Sequence, residues 1–229
     1  MLIHLPKILG SEQLAACRAQ MGPNAPWADG RGSAGGAAGA VKRNRELTQP
    51  STVSEQLGGI VVQAMMASPA FQSASLPVRF SPPSFSRYEG DQAYGQHNDA
   101  AVMEFRVAGS RVLVRTDMAA TLFLSDPADY AGGELVIEDT FGQSRVKLPA
   151  GDMVLYPASS LHHVAPVTQG VRLVSFLWIQ SLVRDDFHRS MLRDLDITLQ
   201  NLNRSAPGNP AGARLLNLYH NLLRLWSET

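Results

Sequence analysis

The chain has 229 residues, enough for one domain with a substantial core, and its 20 basic and 20 acidic side chains give a formal net charge of zero. A neutral chain carries no electrostatic footprint for nucleic acid, and its single cysteine, Cys17, excludes an internal disulfide framework. Because no apolar stretch has the length of a membrane span and no signal peptide is recognisable, we expect a cytoplasmic protein without membrane or nucleic-acid partners.

The first 70 residues are predicted to be mainly helical. An amphipathic stretch begins at Ser11 and reaches Met21, where the glycine and prolines of residues 22–26 end it. Residues 51–67 have helical apolar spacing and end before Pro69. These segments therefore indicate two helices that precede the rest of the domain.

Between the two helices, residues 30–40 are rich in glycine and alanine and predict a mobile loop. Gly30 to Gly35 reads G-x-G-x-x-G, but no strand precedes it and no convincing helix of a βαβ unit follows, so we favour a loop over a nucleotide site. Lys42, Arg43 and Arg45 come next. They form either a solvated basic patch or part of a lid that touches an anionic substrate.

From residue 76 the pattern changes to short strands separated by turns. Residues 78–88 are strand-like, and Pro82-Pro83 within them is typical of an edge or a bulge. Further strand candidates follow with no helix between them: 111–124, 134–138, 144–148, 153–156, 161–167 and 171–179. This order argues against a parallel α/β sheet and predicts an antiparallel sandwich or jelly roll.

Helical spacing returns at residues 184–203 and 213–226. Their apolar stripes must pack on the strand domain or on a second copy of the chain, as in a homodimer. The sequence leaves both arrangements open.

A candidate metal site lies at His97 and Asp99, two residues apart at the end of a strand-like segment. Side chains alternate along an extended strand, so these two share a face. A third ligand is available from His162 or His163 in another strand. Two histidines and one carboxylate leave three open positions on an octahedral ion, the arrangement of the non-haem Fe(II) oxygenases.

Arg172 lies inside the apolar run of residues 171–178. A buried guanidinium without a partner is costly, so we expect an acidic group beside it. The alternatives are a structural ion pair with Asp117 or Glu134, or the carboxylate of a bound cosubstrate, which an arginine can hold bidentately.

The choice between His162 and His163 depends on the strand register. A three-residue turn at 168–170 would pair residues 161–167 with residues 171–179 and set His162 on the same side of the sheet as Arg172, about 13 Å away along the strand. A turn longer by one residue would select His163 instead. The shorter turn favours His162.

Several motifs carry a family resemblance over nearly the whole chain: Phe85-Ser-Arg-Tyr88, Gly95-Gln-His97-Asn-Asp99, Gly132-Gly-Glu-Leu135, Pro149-Ala-Gly-Asp152, Ser160-Leu-His162 and Tyr219-His-Asn-Leu-Leu223. Together they resemble the Fe(II)/2-oxoglutarate dioxygenases related to prolyl 4-hydroxylase, and among these the bacterial PKHD-type hydroxylases. The resemblance implies an α+β fold with a double-stranded β-helix (a cupin-like jelly roll) at residues 76–180. N-terminal helices at 1–70 would complete an oxygenase domain of residues 1–182, followed by a helical extension at 183–229.

The resemblance also implies roles for individual residues. His97, Asp99 and His162 would bind Fe(II), and Arg172 and Tyr88 would hold the distal carboxylate of 2-oxoglutarate. Trp178 would lie near that carboxylate, although core packing is an alternative for both aromatic residues.

The implied activity is a hydroxylase that consumes O2 and 2-oxoglutarate. The expected substrate is an unidentified small molecule or a peptidyl side chain, with a link to iron uptake and a use of L-ascorbate (vitamin C) as further expectations. After Asp99 the chain reads Ala-Ala-Val-Met-Glu-Phe, where family members usually carry Asn-Ala-Ile-Arg, so substrate choice is the open question. The alternative is a cupin-like metal-binding or sensor protein without turnover.

Overall fold

The computed structural model describes residues 1–107 and 109–228. Four of its helices precede the main run of strands and two follow it: α1 (Ser11–Gln20), α2 (Gly36–Ala40), α3 (Thr52–Ala67), α4 (Pro69–Ser75), α5 (Asp186–Ser205) and α6 (Pro210–Trp226). Short 3-10 turns lie at Gly30–Ser33 and Pro127–Asp129.

The strands begin near the N-terminus and end just before α5. They are β1 (Ile3–Leu5), β2 (Trp27–Asp29), β3 (Lys42–Arg43), β4 (Arg45–Leu47), β5 (Pro77–Phe80), β6 (Ser84–Tyr88), β7 (Ala93–His97), β8 (Val102–Val107), β9 (Ser110–Arg115), β10 (Met118–Phe123), β11 (Tyr130–Gly132), β12 (Leu135–Asp139), β13 (Gly142–Val146), β14 (Met153–Pro157), β15 (His162–Val164), β16 (Val167–Gly170) and β17 (Arg172–Ser181).

Two antiparallel sheets form the core. The larger has the order β1-β14-β10-β17-β6-β4-β2, with β5 also paired to β17, and the smaller has the order β13-β12-β15-β7-β3. Two further ribbons, β8-β9 and β11-β16, stand apart from these sheets. The predicted α+β fold with an antiparallel jelly-roll core and helical additions is confirmed.

The larger sheet is buried on both faces, which the alternation along β17 makes clear. Leu177 and Ile179 point to one side and pack with the N-terminal helices, whereas Val174 points to the other side and packs with residues of the smaller sheet. The domain therefore has three layers: helices, larger sheet and smaller sheet. The space between the two sheets is where a site can form.

The C-terminal helices are fastened to the strand domain by charged groups. Arg189 is buried in α5 and donates to the carbonyl oxygens of Val183 and Arg184, so it fixes α5 to the connection that follows β17. Near the other end of the extension, Glu228 forms a 2.6 Å ion pair with Arg115. Within the described ranges, no helix combines the length and the apolar character needed to cross a lipid bilayer.

Some predicted boundaries are wrong for identifiable reasons. The predicted strand 111–124 is divided in two because β9 pairs with β8 in a separate ribbon, whereas β10 pairs with β14 and β17 in the larger sheet. The predicted strand 78–88 breaks at its two prolines, which cannot donate to a ladder. The predicted loop 30–40 instead forms a 3-10 turn and α2.

The packing of α3 on the larger sheet gives a stability prediction. Leu57 is fully buried in α3, whereas Met66 in the same helix is 41% exposed. We expect Leu57→Ala to lower the free energy of unfolding by about 2–5 kcal/mol, because it leaves a cavity. Met66→Ala should change it by less than about 0.5 kcal/mol. Urea unfolding measures both, and equal effects would contradict this packing.

Candidate metal centre

Two histidines meet because their strands are neighbours in the smaller sheet. β7 pairs with β15 so that His97 lies directly opposite His162, and their ring centroids are 4.3 Å apart. Asp99 follows β7, and its Oδ2 lies 4.0 Å from Nε2 of His162. One ligand atom from each of the three residues lies within 4.8 Å of the others. His163 pairs with Val136 on the next strand and does not belong to this group.

Backbone carbonyls fix the orientation of both imidazole rings. Nδ1 of His97 lies 2.8 Å from the carbonyl oxygen of Gly95, and Nδ1 of His162 lies 2.9 Å from that of Ser160. When each Nδ1–H is donated to its carbonyl, each Nε2 keeps a free lone pair. Two rings held in this tautomer are suited to bind a metal ion through Nε2.

The three side chains are buried, and no positive charge among them compensates the carboxylate of Asp99. Burial lowers the pKa of His97 to about 4, so its ring is neutral at physiological pH. Burial raises the pKa of Asp99, and the nearby His162 and the indole of Trp178 lower it by less. Oδ2 of Asp99 has no hydrogen-bond donor among the described residues. A divalent cation bound by the three side chains would offset the cost of burying this carboxylate.

The three ligand atoms face a cavity of about 250 Å³ between the two sheets. Residues from both sheets, from β8 and from the segment after β2 line it, among them Ser33, Ala34, Ala38, Lys42, Tyr88, Tyr94, Met103, Arg172, Phe176 and Trp178. Every residue predicted for the site borders this one cavity.

Arg172 lies in the wall of the cavity and is only 1% exposed. It is opposite Tyr88 in the β6–β17 register, and its Cζ lies 5.2 Å from the Tyr88 ring and 5.6 Å from the Phe123 ring. The alternative of a structural ion pair for Arg172 is wrong: Asp117 binds Arg115, and neither Glu134 nor any other acidic side chain of the described residues pairs with Arg172. Its Nε also lacks an acceptor there.

The predicted pairing of residues 161–167 with residues 171–179 is wrong. β15 belongs to the smaller sheet and β17 to the larger, and the connecting β16 pairs with β11. His162 and Arg172 therefore face the cavity from opposite sheets. The register argument chose the histidine that joins the group, but the actual cause is the pairing of His162 with His97.

The sequence did not indicate the role of Tyr94. Its ring stacks on His97 with centroids 3.6 Å apart. Residues three apart in a regular strand point to opposite faces, but three residues of β7 span the distance of two in β15. This bulge brings both rings to one face. Gly95 was the only signal of it.

Two family models match the chain. One, described as "PKHD-type hydroxylase C-terminal domain", matches residues 186–228, and the other, "2OG-Fe(II) oxygenase superfamily", matches residues 83–180. A PKHD-type hydroxylase of Paraburkholderia phytofirmans is 50% identical over 230 residues, which cover 100% of each chain.

Two solved structures have a similar fold. A prolyl-4-hydroxylase of Pseudomonas putida has a TM-score of 0.52 and 18% identity, covering 79% of this chain and 92% of its own. HygX from Streptomyces hygroscopicus, with nickel, 2-oxoglutarate and hygromycin B bound, has a TM-score of 0.52 and 15% identity, covering 80% and 84%. At such low sequence identities, the similarity to these two structures shows only a shared fold.

Oδ2 of Asp99 has no hydrogen-bond donor among the described residues, and this leads to a prediction for Asp99→Asn. The difference in stability between this variant and the wild type should change sign when metal is added. Asp99→Asn keeps the shape of the side chain and removes its charge. In EDTA we expect the variant to be more stable than the wild type by about 1–3 kcal/mol, the cost of a buried group without a partner. With Ni(II) the order should reverse, because only the wild type keeps all three ligands. Equal stabilisation of both proteins by Ni(II) would contradict the site.

Proposed function

Because this chain belongs to the PKHD-type hydroxylases, which are 2-oxoglutarate- and Fe(II)-dependent oxygenases, we propose that His97, Asp99 and His162 hold its iron and that Arg172 and Tyr88 hold its cosubstrate. The enzyme is a 2-oxoglutarate-dependent hydroxylase that uses Fe(II) and O2. The residue assignments are our proposal.

The buried guanidinium of Arg172 is the observation that supports the cosubstrate site. It borders the same cavity as the three ligand atoms and has no acidic partner among the described residues. A carboxylate is the group that a guanidinium binds with two parallel hydrogen bonds. Tyr88 lies opposite it in the register and lines the same cavity, where its hydroxyl can donate to the same carboxylate.

The iron ligands contribute fixed geometry. The carbonyls of Gly95 and Ser160 hold both imidazoles with Nε2 available, and the stacked ring of Tyr94 keeps His97 from turning. Three protein ligands leave further coordination positions open for the cosubstrate and O2.

When bound, the iron and 2-oxoglutarate would supply the chemistry: 2-oxoglutarate loses CO2 and takes one oxygen atom of O2 to become succinate, and the other oxygen atom is inserted into a C–H bond of the substrate. The chain's own residues orient the reactants and exclude water. Phe176 and Trp178, with centroids 5.5 Å apart, form an apolar part of the wall that keeps water from the reacting groups.

The substrate class and organisation remain proposals. Met103, which lies in the segment that departs from the usual family sequence, lines the cavity, and this supports a role for that segment in selecting a small-molecule or peptidyl substrate. We further propose an oxygenase domain at 1–182, a helical extension at 183–229 and a cytoplasmic location. The homodimer, the link to iron uptake and the use of ascorbate stay predictions.

Arg172→Met tests the cosubstrate site. We expect the KM for 2-oxoglutarate to rise at least about 30-fold, because a buried ion pair with one partner removed loses about 2 kcal/mol or more. Tyr88→Phe removes a single hydroxyl and should raise KM about tenfold. Succinate formation at varied 2-oxoglutarate measures both. An unchanged KM in Arg172→Met would refute the assignment.

Adjacent histidines provide a matched pair for the iron site. His162→Ala should lower kcat at least about 100-fold, since loss of a metal ligand exceeds the 10–100-fold effect typical of outer-shell partners. His163→Ala, one residue away and outside the ligand group, should change it by less than about threefold. Fe(II)-dependent succinate release measures both, and the opposite ranking would assign the metal to His163.

A further inference from the structure

The glycine-rich segment forms part of the wall of the active-site cavity. Ser33, Ala34 and Ala38 line it, although each belongs to a stretch whose outer side faces solvent. Neither a nucleotide-binding loop nor a mobile loop, the two interpretations of the sequence, explains why this segment lies at the cavity wall. The contacts that hold the segment at the cavity wall begin at β3, which directly follows it and pairs with β7.

The segment is joined directly to the strand that carries His97. β3 pairs with β7, with Lys42 opposite Tyr94, and the amide of Gly95 donates to the carbonyl oxygen of Val41 at 2.9 Å. A Cβ at Gly95 would come within 2.7 Å of the Val41 side chain, so a glycine is needed for this approach.

Lys42 then connects the two sheets at the edge of the cavity. β3 lies in the smaller sheet and β4 in the larger, and the Lys42 ammonium reaches across to Oε1 of Glu46 at 2.5 Å. Both side chains are buried, and the hydroxyl of Ser86 also donates to this carboxylate at 3.2 Å. The ion pair is therefore fixed in position on its β4 side.

On its other side, Lys42 holds the segment. Its ammonium donates to the hydroxyl of Ser33 at 2.7 Å, and it lies 5.0 Å from the Tyr94 ring and 5.6 Å from the Phe176 ring. An ammonium has three hydrogens to donate, and two are used by Glu46 and Ser33. The Tyr94 and Phe176 rings lie close enough to the ammonium for cation–π contacts.

We infer that Lys42 is a positioning residue that holds residues 33–38 across the active-site cavity through Ser33, so that this contact controls the access of organic molecules to the metal centre. The inference rests on the proposed function, since it treats the cavity as the place of reaction. Ala34 and Ala38 leave room for a substrate, whereas the Lys42–Ser33 bond keeps their segment closed.

Thiol labelling measures this access directly. Ala38→Cys places a thiol on the cavity side of α2, and Ala37→Cys places one on its exposed side as a matched control. The native Cys17 is fully buried and should not react in the folded protein. The probe is 5,5′-dithiobis(2-nitrobenzoate), an aromatic disulfide that reacts with exposed thiols.

We expect the thiol of Ala38→Cys to react at least about tenfold more slowly than the thiol of Ala37→Cys, because the closed segment shields it. Adding Ser33→Ala should accelerate labelling at position 38 about tenfold, the loss of one charge-assisted hydrogen bond, and leave labelling at position 37 unchanged. The pair Lys42→Met with Glu46→Gln removes both buried charges together and should have the same effect. Equal labelling of the two thiols, no effect of Ser33→Ala, or acceleration of both thiols alike would overturn the inference.

Calorimetric binding of 2-oxoglutarate to the Ni(II) protein separates this inference from the proposed function. If the proposed function fails, the wild type itself will not bind 2-oxoglutarate. If only the positioning role fails, the wild type and Ser33→Ala will both bind it, while Ser33→Ala leaves the labelling rate at position 38 unchanged.

Discussion

A guanidinium enclosed in a cavity without an acidic partner is the constraint on which the active site depends. Arg172 is almost fully buried between the rings of Tyr88 and Phe123, and no carboxylate of the described residues compensates it. Leaving such a charge unpaired opposes folding, and this supports the proposal that an anion from solution binds Arg172. The carboxylate of Asp99 has the converse need for a cation. Together these two buried side chains support the proposed metal ion and carboxylate cosubstrate.

The two sheets carry different parts of the proposed site. The smaller sheet brings His97 and His162 together by direct strand pairing, and the larger sheet supplies Arg172 opposite Tyr88. Each pair is fixed by backbone register, so the distance between the proposed metal site and the proposed carboxylate site depends on how the two sheets face each other. The Lys42–Glu46 ion pair connects the sheets at one edge of the cavity. It is electrically balanced by itself, and it therefore closes this edge without competing for the cosubstrate carboxylate.

Much of this could be predicted from the sequence, and the remainder has physical reasons. The spacing of His97 and Asp99, the apolar setting of Arg172 and the run of short strands indicated the candidate ligands and the fold class. The strand pairing could not be predicted, because the alternation of apolar and polar residues does not reveal that β16 pairs with β11 and not with a neighbour in the chain. The stacking of Tyr94 depends on a bulge, and the role of Lys42 depends on a partner in the other sheet. In the local sequence pattern, Gly95 was the only signal of the bulge, and nothing indicated the partner of Lys42.

The comparison of two ligands of equal length tests the central claim most directly. 2-Oxoglutarate and 2-oxopentanoate share the keto acid and the five-carbon chain, but only the former has a distal carboxylate for Arg172. With the Ni(II) protein, calorimetry should show that 2-oxoglutarate binds at least about 100-fold more tightly, since an uncompensated buried charge costs several kcal/mol. Equal affinity for the two acids would contradict the claim that the guanidinium is reserved for that carboxylate.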